Sequence, residues 1–101
     1  MNMLEEAMSE LADTIVLITD LEHFVGRPAA KALLDAGATV YGTDPAFADA
    51  NTRIAAESAL PGLKPVSGAD PVVAAGRVLE EVGRIDMLIN NDAFPAGHCQ
   101  R

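Results

Sequence analysis

Tryptophan is absent from this chain, and there is one tyrosine and one cysteine. A lone cysteine, Cys99, closes no internal disulfide, which fits a reducing compartment and leads us to expect a cytoplasmic protein. Basic residues are scarce: seven lysines and arginines stand against fifteen acids, for a net charge of −8. Such a surface repels phosphate backbones, so nucleic acid is excluded as a partner. Long apolar runs are also missing. The most apolar one, Ile15 to Ile18, is far too short for a bilayer, so no membrane partner is expected. The N-terminus carries Glu5 and Glu6 and no early basic residue, unlike a signal peptide.

What the chain does have is a globular composition. Half of its 101 residues are hydrophobic and 22% are charged, enough for one small domain with a modest core. Met3, Leu4, Ala7, Met8 and Leu11 recur at helical spacing, so residues 1–13 read as a leader with a short helix, and Met8 is an alternative start. Thr14 to Thr19 is β-branched and apolar on both faces, the pattern of a central parallel strand. A turn follows at Asp20 to Val25. The next helix runs from about Gly26 to Ala36, with Pro28 in its first turn and Gly37 closing it. Thr39 to Gly42 is the second strand, and Ala48 to Leu60 reads as one helix. Leu63 to Val66 is a short third strand that Lys64 and Pro65 place at a sheet edge. Asp70 and Pro71 open a helix that ends at Gly83, with Val72, Val73, Ala75, Val78, Leu79 and Val82 available for burial. Asp86 to Ile89 is the fourth strand, and residues 96–101 have no pattern and read as a loose tail.

Strand and helix thus alternate through the chain. Short links between parallel strands imply right-handed crossovers and an open, doubly wound α/β sheet that stops after about the fourth strand. In such a sheet the ligand crevice lies where the first strand turns into the first helix. Backbone N–H groups and the helix dipole favour an anion there. A dinucleotide turn would place glycines at three positions, but here only Gly26 remains, and Asp20 and Phe24 take the other two. Phe24 adds bulk and Asp20 adds negative charge, so the turn suits a small anion or small apolar ligand better than a pyrophosphate. Asp44, at the end of the second strand, is placed either to bind the ribose hydroxyls of NAD or to serve as a turn residue ahead of Pro45. His23 reads as a turn-stabilising or solvent-facing imidazole more readily than as a base.

These residues resemble the N-terminal half of the short-chain dehydrogenase/reductase superfamily. Thr19 and Gly26 match the ends of its TGxxxGxG turn, ALLDAGATVYGTD (Ala32 to Asp44) its first helix and second strand, and DMLINNDA (Asp86 to Ala93) its NNAG motif, with Asp92 after the paired asparagines. The resemblance implies a partial Rossmann-like domain over residues 14–95. It further implies that Asn90 steadies the central strands and that Asn90, Asn91, Asp92 and Ala93 line the cofactor side. Within the superfamily, Thr19, Phe24 and Gly26 give the T-x4-F-x-G pattern of the halohydrin dehalogenases, whose aromatic turn residue closes a halide pocket. Ser67 stands in the area where ordinary members carry an adenine-contacting aspartate. The ligand-turn residues expected from this reading are Thr19, Asp20, Phe24, Gly26, Asp44, Asn90, Asn91, Asp92 and Ala93, with no metal site.

That branch implies a halide or small molecule in the turn and no cofactor; an ordinary member would instead bind NAD(P). Both enzyme types resembled here use a serine and a tyrosine paired with lysine or arginine four positions on. Tyr41 is followed by Pro45 at that spacing, so no catalytic residue is assigned. The fourth strand is apolar on both faces, so a homo-oligomer or the remaining half of the fold is expected as its partner. A non-catalytic dimerising module is the alternative outside enzymology.

Overall fold

Four short strands and the helices between them follow from the residues just described. The structure, a computed structural model, describes residues 11–23, 25–67 and 70–91. The expected leader helix, apart from a turn at 11–13, lies outside these residues, as do the tail, Phe24, Asp92 and Ala93. The first strand, β1 (Ile15–Thr19), is buried along its whole length, as its two apolar faces require. Helix α1 (Gly26–Asp35) starts without a side-chain cap and gives way at Gly37, which takes the left-handed conformation at φ 98°. Strand β2 (Thr39–Thr43) runs one residue further than the sequence suggests.

The helix expected from Ala48 to Leu60 is present from Ala50 to Ala59, and a short 3-10 turn precedes it. Asp44 caps a short 3-10 turn (Pro45–Ala48), and Asp49 stays extended and caps α2 (Ala50–Ala59) through its bond from the Asn51 amide. An aspartate that satisfies the amide of a new first turn cannot also sit inside a helix, which is why α2 begins after Asp49 and not at Ala48. Strand β3 (Lys64–Val66) is an edge strand, as Pro65 requires. Helix α3 (Pro71–Val82) begins at the Asp70 cap and ends at Gly83, with φ 86°. Strand β4 (Met87–Asn90) completes an all-parallel sheet in the order β3-β2-β1-β4. This is an α/β, Rossmann-like arrangement.

The core has two layers. On one face Val16, Ile18, Val40 and Phe47 pack with Ala30 of α1 and Ala56 of α2. On the other, Ile15, Leu17, Tyr41 and Val66 pack with Ala74 and Val78 of α3. The sequence offered six apolar residues of α3 for burial; Val78 is buried and Ala75 partly so. Val72, Val73, Leu79 and Val82 remain exposed, and so do Met87 and Leu88 of β4. The reason is geometric: a helix lying alone on its face of the sheet turns one stripe inward, and no described residue covers the rest. No helix among the described residues is long and apolar enough to cross a membrane.

Asp86 ties β4 to β1. Its carboxylate accepts the Ile15 amide at 2.8 Å, its own amide donates to the Ile15 carbonyl at 2.8 Å, and Arg84 pairs with it at 3.0 Å. The Ile15 amide first, and then Arg84, hold its carboxyl below the ordinary value. A carboxyl whose folded value is depressed stabilises the fold above its unfolded value, near pH 4, and that contribution is lost as pH falls further through the folded value. Asp86→Asn is therefore expected to weaken the fold at neutral pH and flatten its acid limb. Denaturation midpoints measured from pH 7 down to pH 3 check this; parallel curves for the two proteins would count against it.

Candidate functional site

The crevice is built where β1 ends. Asp20 turns the chain with φ 51°, the one left-handed residue other than glycine among those described. Leu21 then points inward and is fully buried, with its amide bonded to the Thr43 carbonyl at 3.0 Å. An apolar residue between Asp20 and Glu22 is the sequence signal that could have revealed this anchor. Gly26 returns over it, its amide reaching the His23 carbonyl at 3.0 Å. A β-carbon on Gly26 would lie 2.2 Å from the Leu21 carbonyl oxygen. Gly26 is therefore needed because the turn doubles back on its own backbone.

Asp44 holds this turn from the end of β2. It is 2% exposed. One carboxylate oxygen accepts the Ala46 amide at 2.9 Å; the other accepts the Glu22 amide at 3.0 Å and lies 3.2 Å from His23 Nδ1. Of the two roles open to Asp44 in the sequence, the structure shows the turn residue in place, and it places the imidazole of His23 against that carboxylate.

The other wall comes from β4. The Thr19 hydroxyl donates to Asn90 Oδ1 at 3.0 Å and accepts the Asn91 amide at 3.1 Å. Asn91 is buried, and its Nδ2 donates to the carbonyls of Asp20 at 2.9 Å and His23 at 2.5 Å. Thr19, Asp20, Gly26, Asp44, Asn90 and Asn91 thus meet at one end of the sheet. Beside them Glu22 and Arg27 form a two-pronged pair at 2.7 and 2.8 Å, which the sequence reading did not single out. Its five-residue spacing across a turn and a helix start carries no helical signature. The hydrogen bond from Arg27 to Glu22 raises the guanidinium's pKa further.

Chemically, the turn is closed on itself. The amides of Leu21, Glu22, His23 and Gly26 all have acceptors within the chain, and the carbonyls of Asp20 and His23 take donors from Asn91. Those four amides are therefore not free to cradle a pyrophosphate. Donor atoms of Asp20, His23 and Asp44 lie within 4.8 Å of one another, close enough for a divalent ion to touch all three. The Asp44 carboxylate already serves two amides, so these contacts also have an ordinary structural role.

No family model matches the chain, and no curated protein matches it. Solved structures do. A dehalogenation enzyme is 40% identical and superposes with a TM-score of 0.80, over 85% of this chain and 35% of its own. A halohydrin dehalogenase, HheC, solved with ethyl (2S)-oxiran-2-ylacetate bound, is 32% identical with a TM-score of 0.75, over 81% of this chain and 33% of its own. A Pseudomonas syringae chain assigned to the short-chain dehydrogenases is 26% identical with a TM-score of 0.65, over 85% of this chain and 38% of its own. The chain spans about a third of the length of the solved structures it matches. It is a partial Rossmann-like domain that resembles the halohydrin dehalogenases within the short-chain dehydrogenase/reductase superfamily.

Proposed function

We propose that this chain forms the turn-bearing part of a halohydrin dehalogenase-like lyase, which converts a halohydrin to an epoxide and a halide. In that reading Phe24 and the closed turn around Thr19, Asp20 and Gly26 wall a pocket for a halide or small molecule, with Asn90, Asn91, Asp92 and Ala93 beside it. The observation that carries the reading is the state of Asp44. An acid at that position in a nicotinamide enzyme binds ribose hydroxyls, whereas here it is buried and engaged by the Glu22 and Ala46 amides and by His23. The 40% identity to a dehalogenation enzyme points the same way.

Chemistry needs more than these residues provide. In the enzymes resembled here, a cation lowers the pKa of a tyrosine, which takes the proton of the substrate hydroxyl; the alkoxide then displaces the neighbouring halide. Tyr41 is the only tyrosine, and it is buried within β2 on the far face of the sheet. In this reading the chain on its own is expected to be inactive. The exposed apolar residues of α3 and β4 are where a second copy or the complementary part of such a fold would pack. The single cysteine, Cys99, supports a cytoplasmic location.

A second reading, part of an NAD(P)-dependent oxidoreductase, draws on the short-chain dehydrogenase match and on the position of Asp44. Titrating the chain into NADH and following nicotinamide emission separates the two. The first reading predicts no saturable enhancement; a saturable rise would favour the second.

A further inference from the structure

A groove of about 610 Å³ opens at the β3 edge of the sheet, lined by residues of both α2 and α3 and away from the ligand turn. That volume is in the range of small-molecule sites. Tyr41 forms part of its wall. The residue is 2% exposed, and its hydroxyl is buried with no hydrogen-bond partner among the described residues. A buried hydroxyl left unpaired costs stability, so such a group calls for an explanation.

The charges around it are not those of an average patch on this protein. Arg53 of α2, Lys64 of β3 and Arg77 of α3 all line the groove, three of only seven lysines and arginines in a chain of net charge −8. Lys64 and Arg77 belong to none of the described ion pairs, and Arg53 donates to the Phe47 carbonyl. Two acids share the wall, Glu57 and Glu81, each one helical turn after an arginine. Burial first, and then the Glu81 carboxylate, push the Tyr41 phenol above its ordinary pKa. Glu81 comes close enough to act on the phenol without making a hydrogen bond of ordinary geometry, so the hydroxyl stays protonated and a donor at neutral pH.

We propose that this groove binds a small carboxylate carrying a single negative charge, held by Arg77 and Lys64 and by the hydroxyl of Tyr41. Three cations against two acids leave one positive charge to match. The two acids in the wall would repel a polyphosphate. The Glu81 carboxylate acts on the phenol and must give way for the ligand to reach it. The site is independent of the halide reading, because it shares no residue with the ligand turn.

Tyr41 is the one strong intrinsic fluorophore of the chain, since there is no tryptophan. Its emission should change saturably on titration with propionate at constant ionic strength, and not on replacing one chloride salt by another. In Arg77→Gln, at an exposed helix position, the propionate affinity should fall at least tenfold. In Tyr41→Phe, read by calorimetry, it should fall several-fold while the fold is retained by circular dichroism. A change that tracks ionic strength alone, an unaltered affinity in Arg77→Gln, or tighter binding of inorganic pyrophosphate than of propionate would overturn the assignment.

Discussion

Gly26→Ala is expected to cost the fold about 3 kcal/mol or more, large for a position at a helix start where alanine is otherwise the better residue. The added β-carbon would sit 2.2 Å from the Leu21 carbonyl oxygen and 2.8 Å from its Cα, both backbone atoms that no rotamer change can move away. Relief requires the turn to open. Leu21 is fully buried in the core with Val16, Ile18 and Phe47, so opening the turn withdraws that side chain too. Against a total stability of about 5–15 kcal/mol for whole domains, such a loss leaves little. Urea denaturation followed by circular dichroism measures it. A variant within about 1 kcal/mol of the parent would show that the turn has another conformation available.

The second large effect is expected at Asp44. Asp44→Asn keeps the shape but turns an amide NH2 toward backbone donors, so one of the Glu22 and Ala46 amides loses its acceptor and His23 loses its anion. Removing one partner from a buried, charge-assisted network costs about 2–4 kcal/mol. Asp70→Asn provides the control: Asp70 accepts a single amide at an exposed helix start, where a cap contributes only about 1 kcal/mol. Denaturation midpoints of the two variants should therefore differ clearly. Equal losses at the two sites would mean that the Asp44 cluster acts as an ordinary cap and does not hold the turn.

Most of the scaffold was legible in the sequence because its signals are local. Apolar residues on both faces of Ile15 to Ile18 could only be a covered strand. The pairing of Asp70 and Pro71 with Gly83 bounds α3 from both ends, and Pro65 assigns β3 to an edge. The start of α2 after Asp49 was not legible to the residue, since helix-forming residues lie on either side and only the capping bond distinguishes them. The exposure of Val72, Val73, Leu79 and Val82 was not legible either. Periodicity shows that a residue can be buried, not whether another element lies over it.

The site divides in the same way. The roles of Thr19 and Gly26 follow from their places at the ends of the turn. The closing of the turn by Asp44 and Asn91 joins residues 21 to 71 positions apart. No spacing rule links such residues; only the parallel order of β2, β1 and β4 brings them together. The match to dehalogenation and short-chain dehydrogenase chains then agrees with the family resemblance of the T-x4-F-x-G turn.

The central claim is that this chain carries the halide-side portion of a dehalogenase-like fold. The most direct test is to mix it with a separately purified polypeptide bearing the other two thirds of a halohydrin dehalogenase, and to measure bromide release from a vicinal bromohydrin. The account predicts release above that of either piece alone, lost again in Gly26→Ala. Oxidation of NADH or NADPH by the mixture, with no bromide released, would contradict it.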